Sequence, residues 1–219
     1  MNQTAKPILA NLILAVTNCG SVGHKSPVEN KTGNPYLPWP NISDDMKYFS
    51  KVTKTLGGLV IMGYTTWMTL PEKYRILPDR TLVVLTRNTD NEQVLNSEKG
   101  VGRTIVTTSI GNINSICNSQ DIKTVWVAGG PSIYSLFLDG KVPGFQLGEL
   151  HRTLINADYI CREDGVVKPQ EETENFILMQ QMVSPLVAYR GLERLDNKTV
   201  KMGGTDNSPS AKVEVFKFN

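Results

Sequence analysis

Apolar runs of strand length alternate along the chain with stretches that have the period of a helix. Leu12-Ile13-Leu14-Ala15-Val16 is continuously apolar, the pattern of a strand covered on both faces. Residues 20–36 turn polar and rich in Gly, Pro, Asn and Lys, which predicts a long loop. A helix follows, with Ile42, Met46, Phe49 and Val52 at the spacing of one buried face, Ser43 placed to cap it, and Asp44 and Asp45 in its first turn. Asp44 projects with Tyr48 and Lys51 toward the polar side, whereas Asp45 borders the apolar stripe and points inward.

Further strands are expected at 58–63, 81–86, 104–106, 124–128 and 149–155. Helical patterns start at Thr65, cover 110–117, and follow Gly129-Gly130-Pro131 through Ile133, Tyr134, Phe137 and Leu138. Residues 186–189 and 213–218 read as extended segments around a polar loop at 196–210. In the last segment Val213, Val215 and Lys217 alternate with Glu214, Phe216 and Phe218, a sheet-edge pattern. The expected fold is α/β: a central, mostly parallel twisted sheet with an antiparallel C-terminal strand, flanked by helices. Its 219 residues fit one domain, 1–219, with an extended loop near 24–36.

Composition narrows the function. A net charge of +2 and the lack of a basic run interleaved with aromatics argue against nucleic acid. The N-terminal apolar stretch is broken by Pro7 and Asn11 and is too short for a membrane span. Cys19, Cys117 and Cys161 are far apart, and His24 and His151 are isolated, so reduced thiols in an intracellular, cytoplasmic protein without a structural metal are expected. The expected oligomeric state is a monomer.

Candidate chemistry sits at strand ends and on the first helix. Asp45, six residues after Trp39 in Leu37-Pro38-Trp39-Pro40, is an inward carboxylate that needs a partner, and no basic residue shares its stripe. Its partner is therefore a ligand, unless the acid only caps the helix. Gly129-Gly130 opens a helix after a strand, suiting either a pyrophosphate or a tight turn without ligand. Gly63 before Thr65 and Thr66 offers another helix start, and Arg87 beside Thr86 can grip a phosphate monoester. Arg80 suits a bidentate carboxylate contact, or an ion pair with Asp79 or Glu72. No GxGxxG fingerprint is present.

Taken in order, these pieces resemble the dihydrofolate reductase family in its eukaryotic form, from about residue 12 to 153. The matching motifs are Leu37-Pro38-Trp39-Pro40 with Asp45 and Tyr48-Phe49, Val60-Ile61-Met62-Gly63 with Thr66-Trp67, Leu70-Pro71 through Arg80, Leu85-Thr86-Arg87, and Trp126-Val127-Ala128-Gly129-Gly130 with Tyr134. The resemblance implies reduction of 7,8-dihydrofolate to tetrahydrofolate by NADPH, and binding of antifolate inhibitors. It implies that Asp45 pairs with the pteridine and that Trp39 helps hold the water that delivers a proton. Ala15, Phe49, Leu70, Pro71, Ala128 and Thr153 would line the substrate, with Arg80 on its glutamate carboxylate. Ala15, Val22, Gly63, Thr65, Thr66, Thr86, Arg87, Gly129, Gly130, Ser132, Ile133 and Tyr134 would meet NADPH, Arg87 taking the 2′-phosphate. Other readings are a catalytically weak folate- or antifolate-binding paralogue and the related-fold reductase of riboflavin synthesis. No thymidylate synthase region follows, which implies a single-function chain.

The chain departs from the family where Tyr64 and Thr65 stand in place of basic residues, leaving Arg87 as the clear charge for the 2′-phosphate. Ser21 replaces a usual glycine, Pro131 a small polar residue, and Ser43 a residue that is often basic.

Overall fold

A computed structural model describes residues 6–27, 34–97, 102–156, 176–178, 192–195, 200–202 and 209–219. The strand expected at 186–189, most of the loop at 196–210, residues 28–33 of the long loop, and Cys161 lie outside the described residues. In chain order the elements are β1 (Ile8–Thr17), β2 (Ser21–His24), α1 (Ser43–Thr53), β3 (Leu59–Gly63), α2 (Tyr64–Met68), β4 (Thr81–Leu85), β5 (Gln93–Asn96), β6 (Arg103–Thr107), α3 (Gly111–Ser119), β7 (Thr124–Val127), α4 (Pro131–Leu138), β8 (Phe145–Ile155), β9 (Phe176–Leu178), β10 (Leu192–Arg194), β11 (Val200–Met202) and β12 (Ala211–Phe218). They group into two compact units: Met1–Ile13 with Phe49–Gly148, and Leu14–Tyr48 with Glu149–Asn219.

In the first unit the strands run β1-β7-β3-β4-β6-β5. Pairings from β1 through β6 are parallel, and β5 closes antiparallel onto β6. Every residue of β3 is buried, as its unbroken apolar run requires of a strand covered on both faces. Leu59, Val60, Ile61, Leu82, Val83, Val84, Val125 and Val127 form the fully enclosed centre. Nothing in the apolar pattern announces β5, whose four residues are mostly exposed.

The second unit orders its strands β10-β12-β8-β1, with β11 also paired to β12. Val213 of β12 stands opposite Thr153 of β8 in an antiparallel register. The expected α/β class, mostly parallel sheet and antiparallel C-terminal strand are all present. However, β12 lies between other strands and not at an edge, and Val213, Glu214, Val215 and Phe216 are all buried. Its polar position is filled by a carboxylate that finds cations. Glu214 takes Arg152 at 2.5 Å, Arg194 at 3.1 Å and Lys212 at 3.2 Å.

Several other expectations are corrected. Residues 21–24 form β2, paired antiparallel with β9, where a loop was expected. Polar composition hid it, since a short strand can draw its partner from anywhere in the chain. Helix α1 begins at Ser43 itself, and the first bond of the turn runs from the Met46 N–H to the Ile42 carbonyl. Met46 is 47% exposed, while Tyr48, expected on the polar side, is half-buried. A polar partner inside the fold, described below, turns that face inward against the apolar stripe. Cys19 is disulfide-bonded, so the expectation of three reduced thiols fails. Spacing along a sequence does not reveal which sulfurs meet in space. Cys117 is free and buried.

Burial alone would raise the Glu214 pKa, but hydrogen bonds and charge from Arg152 and Lys212 bring it below the usual carboxylate value. The stability this gives is complete above the unfolded-state pKa and is lost as pH falls through the depressed folded one. Glu214→Gln leaves Arg152 buried beside a neutral amide, a loss of about 3–5 kcal/mol. Urea unfolding should show that gap at neutral pH and a smaller one in acid; equal midpoints at neutral pH would contradict it.

Candidate active site

Asp45 sits in the first turn of α1, where the helix dipole favours an anion. Its Oδ1 accepts a 2.6 Å hydrogen bond from Thr153 Oγ1 on β8. Thr153 is buried and Asp45 half-buried. No described cation pairs with Asp45. Loss of water raises its pKa above the ordinary carboxylate value, and the Thr153 hydrogen bond opposes that rise. A carboxylate in this state has acceptor capacity left for a donor-rich ligand. Trp39, which precedes the helix, is 3% exposed and packs with Cys19, Ile42, Ile155, Ala211, Val213 and Val215, with Ala15 at the margin. Val22 on β2 is half-buried.

The same strand face carries a chain of groups that the sequence reading did not single out. His151 is 6% exposed; its Nδ1 lies 2.7 Å from the Tyr48 hydroxyl and its Nε2 lies 2.8 Å from Glu149 Oε2. A neutral imidazole satisfies all three by accepting from Tyr48 and donating to Glu149. Burial, then the charges of Glu149 and Asp45, push the Tyr48 hydroxyl up to about 12. Two periodicities contained the signal: Glu149, His151 and Thr153 alternate along one strand face, and Asp45 and Tyr48 are one helical turn apart. His151 is therefore not isolated, and with Thr153 it fixes the inward face of α1.

In the first unit, Arg80 immediately precedes β4 and is 6% exposed. Its Nη1 donates to Thr53 Oγ1 at 2.8 Å and its Nε to the Pro78 carbonyl at 3.0 Å, while its guanidinium carbon lies 5.8 Å from the centre of the Phe49 ring. Asp79 pairs with Lys54 at 2.7 Å, so no ion pair with Asp79 holds Arg80. Burial lowers the Arg80 pKa and the nearby Asp79 charge opposes this. A cavity of about 390 Å³ opens beside Arg80 and is also lined by Asn96, Gly102 and Arg103. Leu70 is half-buried and Pro71 exposed just after α2.

At the opposite strand ends, the Gly63 N–H donates to the Gly129 carbonyl at 2.7 Å, tying the β3 exit to the turn after β7. Gly129 has φ +95°, the left-handed region that glycine tolerates, and the Gly129–Gly130 peptide is cis. A Cβ on Gly130 would come within 2.8 Å of Thr66 Oγ1, so the bare backbone leaves a close approach open beside that hydroxyl. The arrangement fits a pyrophosphate. Pro131 opens α4 at a position whose N–H a helix does not use. Ile133 packs on Gly63, and the buried Tyr134 hydroxyl donates to the Ile13 carbonyl at 2.8 Å. Ala128 and Thr86 are half-buried, and Thr65, Arg87 and Ser132 exposed.

The family model described as dihydrofolate reductase matches residues 11–182. The bifunctional dihydrofolate reductase-thymidylate synthase of Acanthamoeba polyphaga mimivirus is 29% identical over 72% of this chain and 26% of its own length. The dihydrofolate reductases of Gallus gallus and Sus scrofa are 31% and 32% identical over 60% and 57% of this chain, and over 66% and 63% of their own lengths. The chain thus spans less than two thirds of each of these curated relatives. A solved dihydrofolate reductase from Enterococcus faecalis, complexed with NADP(H) and RAB-propyl, covers 96% of this chain and of its own with TM-score 0.58 at 20% identity, a likeness of fold. The chain belongs to the dihydrofolate reductase family.

A raised carboxyl pKa favours folding fully only below the unfolded-state value, and that advantage is lost as pH rises through the folded value. Ionised Asp45 therefore costs the ligand-free fold stability. Asp45→Asn should stabilise the ligand-free protein at neutral pH by about 0.5–2 kcal/mol, the usual size of a stabilising substitution. Thermal unfolding across pH checks this; a variant less stable than wild type at neutral pH would contradict it. In the companion variant Thr153→Val, carbon-detected NMR should find the Asp45 pKa higher still.

Proposed function

We propose that this chain reduces 7,8-dihydrofolate to 5,6,7,8-tetrahydrofolate with NADPH, acting as one domain over residues 1–219 that includes the long loop near 24–36. The single observation behind this reading is a carboxyl taken out of water, anchored by one hydroxyl and facing no described cation. Such a group suits the 2-amino group and ring N3–H of a pteridine, from which the Asp45 carboxylate accepts two parallel hydrogen bonds. Thr153 holds the carboxyl from behind, and Glu149, His151 and Tyr48 keep its helix turned inward.

NADPH, when bound, supplies the hydride. The chain's own residues do the rest. Gly129, Gly130, Thr66 and the start of α4 receive the phosphates on backbone and hydroxyl donors, with Gly63, Thr65, Ser132 and Ile133 around them. Ala15, Val22, Ala128 and Tyr134 shape the nicotinamide side, and Thr86 with Arg87 the 2′-phosphate. Phe49, Leu70 and Pro71 sandwich the substrate rings, and Arg80, oriented by Thr53 and the Pro78 carbonyl, takes the tail carboxylate. Asp45 polarises the pteridine so that its N5 accepts a proton, relayed by a water that Trp39 helps hold. No nucleophile is needed, and positioning of two rings can supply roughly 7–11 kcal/mol of the barrier. Antifolate inhibitors would use the same acid.

We place the protein's work in the cytoplasm as a monomer without nucleic-acid or membrane partners. The small net charge supports the lack of a nucleic-acid partner, and no helix of the described residues is long and apolar enough to cross a membrane. The disulfide at Cys19 is the observation that pulls the other way.

Asp45→Asn should retain the fold and lower turnover by about 10²–10⁴-fold, the scale of acid–base help. Loss of NADPH absorbance in the presence of dihydrofolate measures it. Turnover equal to wild type at neutral pH would remove Asp45 from the mechanism.

A further inference from the structure

The carboxyl ends of β4 and β6 are joined by a hydrogen bond from the Thr86 N–H to the Thr107 carbonyl at 3.0 Å. After Thr86 and Arg87 the chain makes a single 3₁₀ turn over Thr89–Asn91 and brings Glu92 back against the end of β6. There Glu92 Oε1 accepts from the Thr108 N–H at 2.7 Å, from Thr108 Oγ1 at 2.7 Å and from Thr107 Oγ1 at 3.4 Å. These bonds, the backbone one foremost, hold its carboxyl below the usual value. Glu92 Oε2 has no partner among the described residues. Thr86 Oγ1 is likewise engaged, accepting from the Asn88 N–H at 3.2 Å and Asn91 Nδ2 at 3.3 Å.

The donors at the end of β6 are therefore taken by the protein's own anion. One exposed cation, Arg87, follows Thr86 directly in the chain, and no ion pair joins it to a described acid. At the end of β3 the next side chains are Tyr64, packed on Trp67 with ring centres 5.6 Å apart, and Thr65, so no charge is added there.

Ligands of such sheets bind beyond these strand ends. NADPH differs from NADH only by a phosphate on the 2′-oxygen of the adenosine ribose. A carboxylate at that oxygen accepts a hydrogen bond from a 2′-hydroxyl and repels a 2′-phosphate. We propose that Glu92 is a specificity-determining residue of the dinucleotide site, one that offsets Arg87 and narrows the preference for NADPH over NADH. This rests on the reading of the chain as a nicotinamide-dependent reductase. Glu92 fills donors that a phosphate would use and presents its second oxygen to a ribose hydroxyl.

The test is calorimetric titration of the full chain with NADPH and with NADH, without folate, in wild type and Glu92→Gln. Glutamine keeps an acceptor for the Thr108 donors and removes the charge. Wild-type dissociation constants should lie within about tenfold of each other, and Glu92→Gln should tighten NADPH by about fivefold or more while NADH stays level or weakens. The gain should shrink as salt screens it. An unchanged ratio, or equal weakening of both nucleotides, would overturn the inference and reduce Glu92 to a turn-closing residue. Binding of neither nucleotide by wild type would overturn the functional reading and this inference with it. Arg87→Gln is the second variant: it should weaken NADPH selectively, and a loss shared equally by NADH would also overturn the assignment.

Discussion

A carboxylate removed from water must be compensated, and in the second unit that requirement falls on Asp45. Helix α1 offers it the favourable end of a dipole, and β8 offers one hydroxyl. Neither equals a salt bridge, so burial still raises the pKa of the acid. The fold tolerates this because the same helix and strand meet a second time, one turn further on, through Tyr48 and His151. Two polar contacts on one strand face thus determine which side of α1 turns inward. An acid held in this way is poorly matched to the empty fold and well matched to a ligand with two parallel donors.

Much of the architecture was legible because continuous apolar runs leave little choice. β3, β4 and β7 emerge where Leu59–Met62, Leu82–Leu85 and Val125–Val127 predict them, and the C-terminal β12 is antiparallel as expected, with β8 as its partner. Legibility ended where a polar partner outranked apolar pattern. Met46 belongs to a regular stripe yet stays exposed, because the Tyr48 hydroxyl has a buried acceptor that no local pattern reveals. Glu214 reads as part of a sheet-edge alternation, and only the positions of Arg152, Arg194 and Lys212 explain its burial. β2 and β9 find each other across more than a hundred residues, and each is too short to show a period.

The site divides in the same manner. Asp45, Arg80 and the Gly129-Gly130 turn were readable from residue type and position, since each answers a demand that few residues can meet. Their supports were not. Thr53, which orients Arg80, and His151, which receives Tyr48, are ordinary residues until the fold gives them partners. Glu92 is a similar case at the strand ends, an exposed acid in sequence and the acceptor of three hydrogen bonds in the structure. Residues that do the chemistry have a signature in sequence, whereas residues that set geometry and selectivity show theirs only through contacts.

The most direct test of the central claim is a crystal structure of the chain with folate and oxidised NADP bound. The Asp45 carboxylate should lie within hydrogen-bond distance of both the pteridine 2-amino group and N3, with Thr153 still donating to it from the protein side. A pteridine bound elsewhere, or an Asp45 that remains engaged with Thr153 alone while the ligand is ordered, would contradict it.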